Sequence, residues 1–321
     1  MQTEQLEELK NISKQLDVFP DRFSFRKKDY PYTDSDKADV LTALLYAECY
    51  AKKISFQLGM PNFPAIMEQD SKAFIDRLSA NNSSKGFTDG GWTVRQQLTN
   101  GLIEVSKGPL SKIIGPGQYQ QNGHAHLPMP QQTITILLPK EDRLLQQGFY
   151  YVYSNEMFSP ESSMLRIYWN IDSDGAPKLV KAVTRQLNYY HIPFLFKCLN
   201  NPLLYSRRDA CVLYISKKHY TVCSWLLENM AKELEGHLQE DVPLFTFKYT
   251  AGIGIAENPL SNESFGMNRM ALLAKALIAA YQSKKNTRSS MASIKNMFSD
   301  NGIDLNRPFL NKGSKQPFQT V

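Results

Sequence analysis

The sequence lacks long apolar runs and has few cysteines. Among its 321 residues no stretch of about 18 consecutive apolar residues occurs, so we expect no transmembrane helix. Cys49, Cys198, Cys211 and Cys223 are scattered without Cys-x-x-Cys spacing, which favours reduced core thiols over disulfides or zinc ligands. The first residues, MQTEQLEELKNISKQL, are acidic and helical in pattern, so no signal peptide is predicted and we expect a cytoplasmic protein.

Recognised catalytic and metal-binding motifs are also missing. There is no G-x-S-x-G element and no His-Glu-x-x-His element. His124 and His126 lie two apart in a loop rich in Gln, Gly and Pro, with no third ligand nearby, so we predict no metal site. The 37 basic and 31 acidic residues leave a net charge of +6, which suits an anionic partner. No nucleic-acid motif accompanies that charge, so we expect no nucleic-acid partner, and without a transmembrane helix we expect no membrane partner.

A glycine-rich stretch, TAGIGIAENPLSNESFGMNR at positions 250–269, resembles a nucleotide loop only superficially. Gly252 and Gly254 fit the first two positions of G-x-G-x-x-G, but Glu257 occupies the third, where pyrophosphate would lie. We predict a tight loop that closes a cleft, in which both glycines allow unusual backbone angles. Arg269 follows at the start of a predicted helix, where an arginine can hold a phosphate or be a structural residue.

The pattern predicts an α+β fold with a helical N-terminal region, residues 1–84, followed by an α+β domain, residues 85–321. Three amphipathic segments precede a polar, glycine-rich connection at 81–92, the best internal boundary. A hairpin is predicted around Asn100-Gly101, and short runs rich in Ile, Tyr and Phe predict further strands. Between the strands lie long helical segments, so we expect a mixed or antiparallel sheet packed by helices.

Basic residues within apolar strands are the most informative feature of the second region. In MLRIYWNI, alternation places Arg166 and Tyr168 on one face. Lys197 lies in PFLFKCL, and Arg207 and Arg208 precede another strand. Such a face could be the solvated side of an antiparallel sheet. The alternative is a cleft in which these cations bind phosphate, because the strands offer few acids to pair with them.

Two blocks resemble the HopA-type effector family, a domain named after a plant-pathogen type III effector and also found in gene clusters for modified peptides. They are IPFLFKCLNNPLLYSRRDACVLYI at 192–215 and VPLFTFKYTAGIGIAENPLSNESFGMNRMALLAKAL at 242–277. The resemblance covers roughly residues 85 to 285. It implies a fold like that of the OspF and SpvC phosphothreonine lyases, which remove phosphate from phosphothreonine by β-elimination without a cofactor.

The resemblance also implies roles for particular residues. Lys197 resembles the lysine base of the lyase strand, while Arg166 and Tyr168 occupy the places of a lysine and the histidine acid. Tyrosine is a poorer acid than histidine, although phosphate neutralised by cations leaves readily. The residues expected to grip phosphate are Arg207, Arg208, Arg269 and, more weakly, Lys107.

The sequence therefore predicts a phosphoserine or phosphothreonine lyase in lanthipeptide-type peptide maturation. Its expected partners are a phosphorylated precursor peptide and a kinase-like protein. The main alternative is a non-catalytic module of the same fold that binds a phosphopeptide or protein. A translocated effector is a third interpretation, which the sequence neither supports nor excludes.

Overall fold

The computed structural model describes residues 3–51, 65–120, 127–158, 163–261, 263–282, 287–315 and 318. His124 and His126 lie outside the described residues. The helices are α1 (Thr3–Gln15), α2 (Lys37–Leu45), α3 (Ala65–Asn81), α4 (Gly175–Tyr189), α5 (Tyr220–Glu233), α6 (Phe265–Gln282) and α7 (Thr287–Asp300). None of the helices in these ranges is long and apolar enough to span a lipid bilayer.

The strands form three antiparallel sheets. They are β1 (Leu16–Val18), β2 (Arg22–Phe25), β3 (Lys28–Pro31), β4 (Phe87–Gln97), β5 (Ile103–Lys107), β6 (Leu110–Ile114), β7 (Tyr119–Gln120), β8 (Thr133–Leu138), β9 (Glu141–Asp142), β10 (Phe149–Tyr153), β11 (Met164–Trp169), β12 (Phe194–Leu199), β13 (Cys211–Ser216), β14 (Phe247–Thr250) and β15 (Ile253–Glu257). The predicted α+β class is confirmed, and the pairing in these sheets is antiparallel throughout.

The largest sheet has seven strands in the order β14-β15-β11-β13-β12-β10-β9. One of its faces is apolar, because alternate residues such as Ile167, Phe196 and Leu213 are fully buried. The predicted strands at 148–154, 164–171, 193–199 and 210–216 correspond to β10, β11, β12 and β13. Strong β-formers and strict alternation explain why these central strands are readable from sequence.

A second sheet of five strands, β6-β5-β4-β8-β7, has a separate small core around Trp92, Val105 and Ile136. The predicted hairpin at Asn100-Gly101 is confirmed, since β4 pairs with β5 across it. The expected connection at 81–92 is partly wrong, because β4 already begins at Phe87. Its glycines mark a bulge, where the register shifts between Asp89 and Trp92 and Gly91 has a φ of 79°.

The N-terminal region is not purely helical, because β1, β2 and β3 form a small sheet within it. The two-residue turn between β2 and β3 uses Arg26 (φ 51°) and Lys27 (φ 65°). Such turns normally carry Asn or Gly, so the sequence lacks the signal that predicts this hairpin. The predicted second helix also changes form, because α2 continues into one π-helical segment, Tyr46–Ala51.

The main core does not divide at residue 84. Leu9 and Leu41 from the N-terminal helices belong to the same buried cluster as Ile167 and Phe196 of the seven-stranded sheet. Each end of the chain therefore depends on this sheet to bury its apolar side chains.

Candidate functional site

The polar face of the seven-stranded sheet brings Arg166, Tyr168 and Lys197 together. Val212 of β13 lies opposite Tyr168 of β11 on one side and opposite Lys197 of β12 on the other. One row of the sheet thus runs from Tyr168 through Val212 to Lys197. Arg166 points to the same side, two residues before Tyr168. The predicted shared face is therefore present in the structure.

Lys197 is half-buried and has no carboxylate within 4 Å among the described parts of the chain. Its Nζ donates a hydrogen bond to Gln146 Oε1 at 3.1 Å and lies 4.3 Å from the centre of the Phe149 ring. Burial is the main cause that lowers the pKa of Lys197 to about 8; the charges of Arg166 and Arg207 act in the same direction, and the charge of Asp209 opposes them. Lys197 thus has a larger neutral fraction at neutral pH than an ordinary lysine.

Arg166 is fixed by two residues of the glycine-rich stretch, Asn258 and Glu263. Its Nε donates to Asn258 Oδ1 at 2.7 Å, and its guanidinium carbon lies 5.3 Å from the centre of the Tyr214 ring. A weaker bond from Nη2 to the Glu263 carbonyl measures 3.4 Å. These partners are neutral, so the positive charge of Arg166 is not cancelled by a direct ion pair.

Tyr168 is buried, with 3% of its surface exposed. Burial raises the pKa of Tyr168, although the neighbouring Arg166 cation acts in the opposite direction. Its ring meets that of Tyr50 edge-on at 6.3 Å and contacts Phe265 at the same separation. The hydroxyl therefore stays protonated at neutral pH.

Arg207 reaches the same face through a network with one acid. Its Nε and Nη2 donate to the two carboxylate oxygens of Asp209 at 2.8 and 2.9 Å, and Tyr46 donates to the same carboxylate at 2.8 Å. Burial acts to raise the pKa of Asp209, but Arg207 and Tyr46 outweigh it and hold that pKa below its ordinary value. Asp209 is therefore ionised, and the guanidinium plane is fixed.

Tyr46 and Tyr50 form a wall of the face that the sequence did not predict as functional. They lie four residues apart in the π-helical segment and stack at 5.2 Å. A side chain at Gly266 would place its Cβ 2.5 Å from the Tyr50 ring and 2.7 Å from the Tyr46 ring. Gly266 is thus needed so that α6 can approach the tyrosine pair, and π-helical segments often occur at functional sites.

The expectation that the glycine-rich stretch forms one tight loop is wrong. The stretch contains the turn between β14 and β15, the whole of β15 and the start of α6. Gly252 forms the turn between β14 and β15 with a φ of 68°, as predicted. Gly254 lies in β15 opposite Tyr168. A glycine is needed there because a Cβ would lie only 2.5 Å from Thr246 Oγ1. Glu257 pairs with Lys217 and accepts a hydrogen bond from the Asn311 backbone.

Three predicted phosphate ligands are bonded to other groups of the protein. Arg269 is 2% exposed and donates from Nε to the Pro308 carbonyl at 2.9 Å, and burial lowers its pKa to about 10. Arg208 is bound to Asp241 at 3.0 Å and to the Cys49 carbonyl at 3.1 Å. Lys107 lies in the five-stranded sheet and pairs with Asp89 at 2.7 Å. Arg207 and Arg208 are neighbours in the turn before β13 but bond to different acids, and Lys107 lies in a separate sheet.

The face has no metal-binding group. Within the described ranges, no cluster of three or more His, Cys, Asp or Glu side chains could hold a metal ion. The arrangement instead offers two cations, one lysine of lowered pKa and several tyrosine hydroxyls. Such a set can bind an oxyanion and accept a proton next to it.

The chain belongs to the HopA1 effector protein family, whose model matches residues 140–310. It is also similar in structure to the effector protein from Pseudomonas syringae pv. tomato strain DC3000, with a TM-score of 0.53 and 16% identity over 96% of this chain and 98% of that one. The effector protein from Pseudomonas syringae pv. syringae strain 61 gives a TM-score of 0.52 and 13% identity over 97% and 99% of the two chains. At these identities the likeness shows the fold alone. No curated protein matches the sequence.

Proposed function

We propose that this chain is a carbon–oxygen lyase that eliminates phosphate from phosphoserine or phosphothreonine in a peptide. The observation that carries the proposal is the environment of Lys197. It is a half-buried lysine with a pKa of about 8, held by a neutral amide, on a face with the cations Arg166 and Arg207. A base and an oxyanion site side by side are what this elimination requires.

Lys197 would act as the base. At pH 7 roughly a tenth of a group with a pKa of 8 is neutral, against less than about a thousandth for an ordinary lysine. The free amine removes the Cα proton of the phosphorylated residue. The electron pair of that C–H bond forms the Cα–Cβ double bond, and the Cβ–O bond breaks with its electrons leaving on phosphate. The proton then resides on Lys197 until solvent removes it.

Arg166 and Arg207 would hold the phosphate and compensate its charge as it leaves. Arg207 is suited to this because Asp209 binds its Nε and Nη2 and thereby fixes the plane of the guanidinium. Tyr168 would donate a hydrogen bond to the leaving oxygen. A phosphate so neutralised departs without a strong acid, so a tyrosine in the place of a histidine is compatible with turnover.

The family resemblance suggests the setting. In modified-peptide clusters a kinase-like partner phosphorylates Ser or Thr of a precursor, and elimination yields a dehydroamino acid for thioether formation. We therefore propose a cytoplasmic maturation step, with the phosphorylated precursor and the kinase-like protein as partners and no cofactor.

One observation favours a second function, a module that binds a phosphopeptide without turning it over. Burial raises the pKa of Tyr168, so the residue in the position of the lyase acid is a weaker acid than free tyrosine. A face with this composition would still bind phosphate.

The test is mass spectrometry of a phosphothreonine peptide incubated with the purified protein in the absence of metal and cofactor. Loss of the elements of phosphoric acid is expected, whereas a hydrolase would remove only HPO3 and leave threonine. Lys197→Met should abolish the product, and Lys112→Met, at an exposed position of β6, should not.

Peptide binding separates the remaining outcomes. Tight binding of the phosphopeptide without any change in mass would replace the lyase by the binding module. Neither binding nor turnover, measured with phosphoserine and phosphothreonine peptides, would refute both functions.

A further inference from the structure

A second surface, on α4 and α5, is built of exposed aromatic residues. Tyr189 is 76% exposed, Trp225 53%, Val222 45% and Tyr190 43%. Tyr189 and Tyr190 meet edge-on at 5.0 Å, and Tyr190 meets Trp225 at 6.2 Å. These four residues, called the aromatic surface below, take no part in the polar face of the sheet. Contiguous exposed apolar area of this kind marks an interaction site.

The two helices run antiparallel, so their exposed stripes lie side by side. Arg185 pairs with Glu233 at 3.2 Å near the end of α5, while Tyr190 meets Trp225 nearer its start. Lys178, Lys181, Arg185 and Tyr189 are spaced three or four apart and form one stripe of α4. On α5 and the turn before it, another stripe consists of Lys218, Val222, Trp225, Asn229 and Lys232.

These stripes carry five cations and no acid. The exposed cations are Lys178, Lys181, Arg185, Lys218 and Lys232. The acids nearby are fewer: Glu233 pairs with Arg185, Glu228 is half-buried and Glu235 is exposed. The surface therefore combines protruding aromatic rings with a positive surround. That combination is complementary to an anionic interface that can admit the rings.

We propose that the aromatic surface and its cations bind an anionic lipid membrane, with the helices lying on it. Tyrosine and tryptophan favour the headgroup region because their rings are apolar and their N–H or O–H groups are polar. Lysine and arginine are attracted to anionic lipids at the same depth. Rings that project outward suit a soft lipid interface, whereas a peptide is usually received in a groove.

This departs from the expectation of no membrane partner. That expectation rested on the absence of a spanning segment, and a surface contact needs none. Tyr190 and Trp225 are 35 positions apart in sequence, so only the antiparallel pairing of α4 and α5 brings them together.

The chain carries its own probe for this contact. Trp92 and Trp169 have no exposed surface, so a change in tryptophan emission on binding reports on Trp225. The intact protein would be mixed with vesicles of phosphatidylcholine alone or of phosphatidylcholine with phosphatidylserine. We expect co-sedimentation and a blue shift of emission with the anionic vesicles, both weakened by salt.

Variants separate this surface from the general attraction of a basic protein. Tyr189→Ser combined with Trp225→Ser should abolish binding, and Lys181→Gln should weaken it about fivefold, as expected for one cation near an anionic surface. The matched controls are Tyr281→Ser, another exposed aromatic on α6, and Lys112→Gln, an exposed cation on β6. Both should bind like the unaltered chain.

Three results would overturn the proposal. The first is no binding to anionic vesicles. The second is binding that survives the double variant, which would reduce the effect to net charge. The third is binding of a polyglutamate peptide by the same residues in preference to vesicles, which would assign the surface to an acidic protein.

Discussion

Arg207 and Asp209 are joined by two parallel hydrogen bonds, from Nε at 2.8 Å and from Nη2 at 2.9 Å. Asp209 is 6% exposed, and the Tyr46 hydroxyl donates to the same carboxylate. This pair links the loop before β13 to the π-helical segment, and it fixes the orientation of Arg207 at the polar face.

Replacing Asp209 should destabilise the protein, because Arg207 is then buried without its ion-pair partner. Asp209→Asn is expected to lower the free energy of unfolding by about 3 kcal/mol at pH 7, measured by urea denaturation. Because the folded pKa of Asp209 is depressed, this stability is present above the unfolded pKa and lost as pH falls through the folded pKa. The two proteins should therefore converge in acid. Asp29→Asn breaks an exposed pair with Arg22 and should cost less than about 1 kcal/mol.

The pKa of Lys197 should set the pH dependence of elimination. The depressed pKa predicts that kcat/KM for elimination rises with pH and levels off above about 8, where the amine of the free protein is neutral. Arg166→Gln removes one of the charges that lower this pKa, so the inflection should move to higher pH. Titration of lysine Cε resonances by nuclear magnetic resonance gives the same pKa without turnover. A Lys197 resonance titrating near 10.5 would contradict the prediction.

Lys197 should also lower the free energy of unfolding. A buried lysine of lowered pKa binds its proton less tightly when folded, so the unfolded chain holds more protons between about pH 8 and 10.5, and stability rises with pH there. Lys197→Met should therefore raise the free energy of unfolding by ~1–3 kcal/mol at pH 7. The gain should shrink as pH rises through that window, which calorimetric melts at pH 7 and pH 10 would detect.

Gly266 should not tolerate a methyl group. Gly266→Ala places Cβ within 2.8 Å of the Tyr46 and Tyr50 rings, so we expect a loss of about 1–3 kcal/mol as the tyrosine pair shifts. Gly236→Ala is the matched control, because no atom lies within 4 Å of a Cβ there. Equal melting temperatures for the two variants would contradict the assigned role.

Tyr168 separates turnover from binding. If its hydroxyl assists the leaving phosphate, Tyr168→Phe should lower kcat at least about tenfold with little change in phosphopeptide affinity. Tyr214→Phe keeps the ring that stacks on Arg166 and should leave kcat nearly unchanged. Unchanged kcat in Tyr168→Phe would leave Tyr168 with a packing role.

The sequence predicted the central strands and the polar face because period-two alternation is a local signal. Alternation placed Arg166 and Tyr168 on one face of their strand, and the pairing of the strands adds Lys197 to that face. What the sequence could not supply was pairing at a distance. Tyr46 donates a hydrogen bond to Asp209, 163 positions away in sequence. Arg208 is bonded to Asp241 and to the Cys49 carbonyl, both of which are far from it in sequence.

The hairpin of β2 and β3 was missed for another reason. Its turn consists of two basic residues in a conformation that normally needs Asn or Gly, so tertiary packing of Phe23, Phe25 and Tyr30 against the core overrides local preference. The boundary predicted at residue 84 likewise rested on composition, while the buried cluster extends across it.

The adjacent residues Arg207 and Arg208 both bond to the N-terminal region. Arg207 binds the acid beside Tyr46, while the Arg208 backbone donates to the Ala51 carbonyl at 2.7 Å and its side chain also approaches Glu8 of α1. A gene fusion that joined residues 85 onward to a foreign N-terminus would keep Lys197 and Arg166 and lose the wall that orients Arg207. The first fifty residues therefore supply part of the polar face, and a fragment that begins at residue 85 should hold Arg207 less firmly.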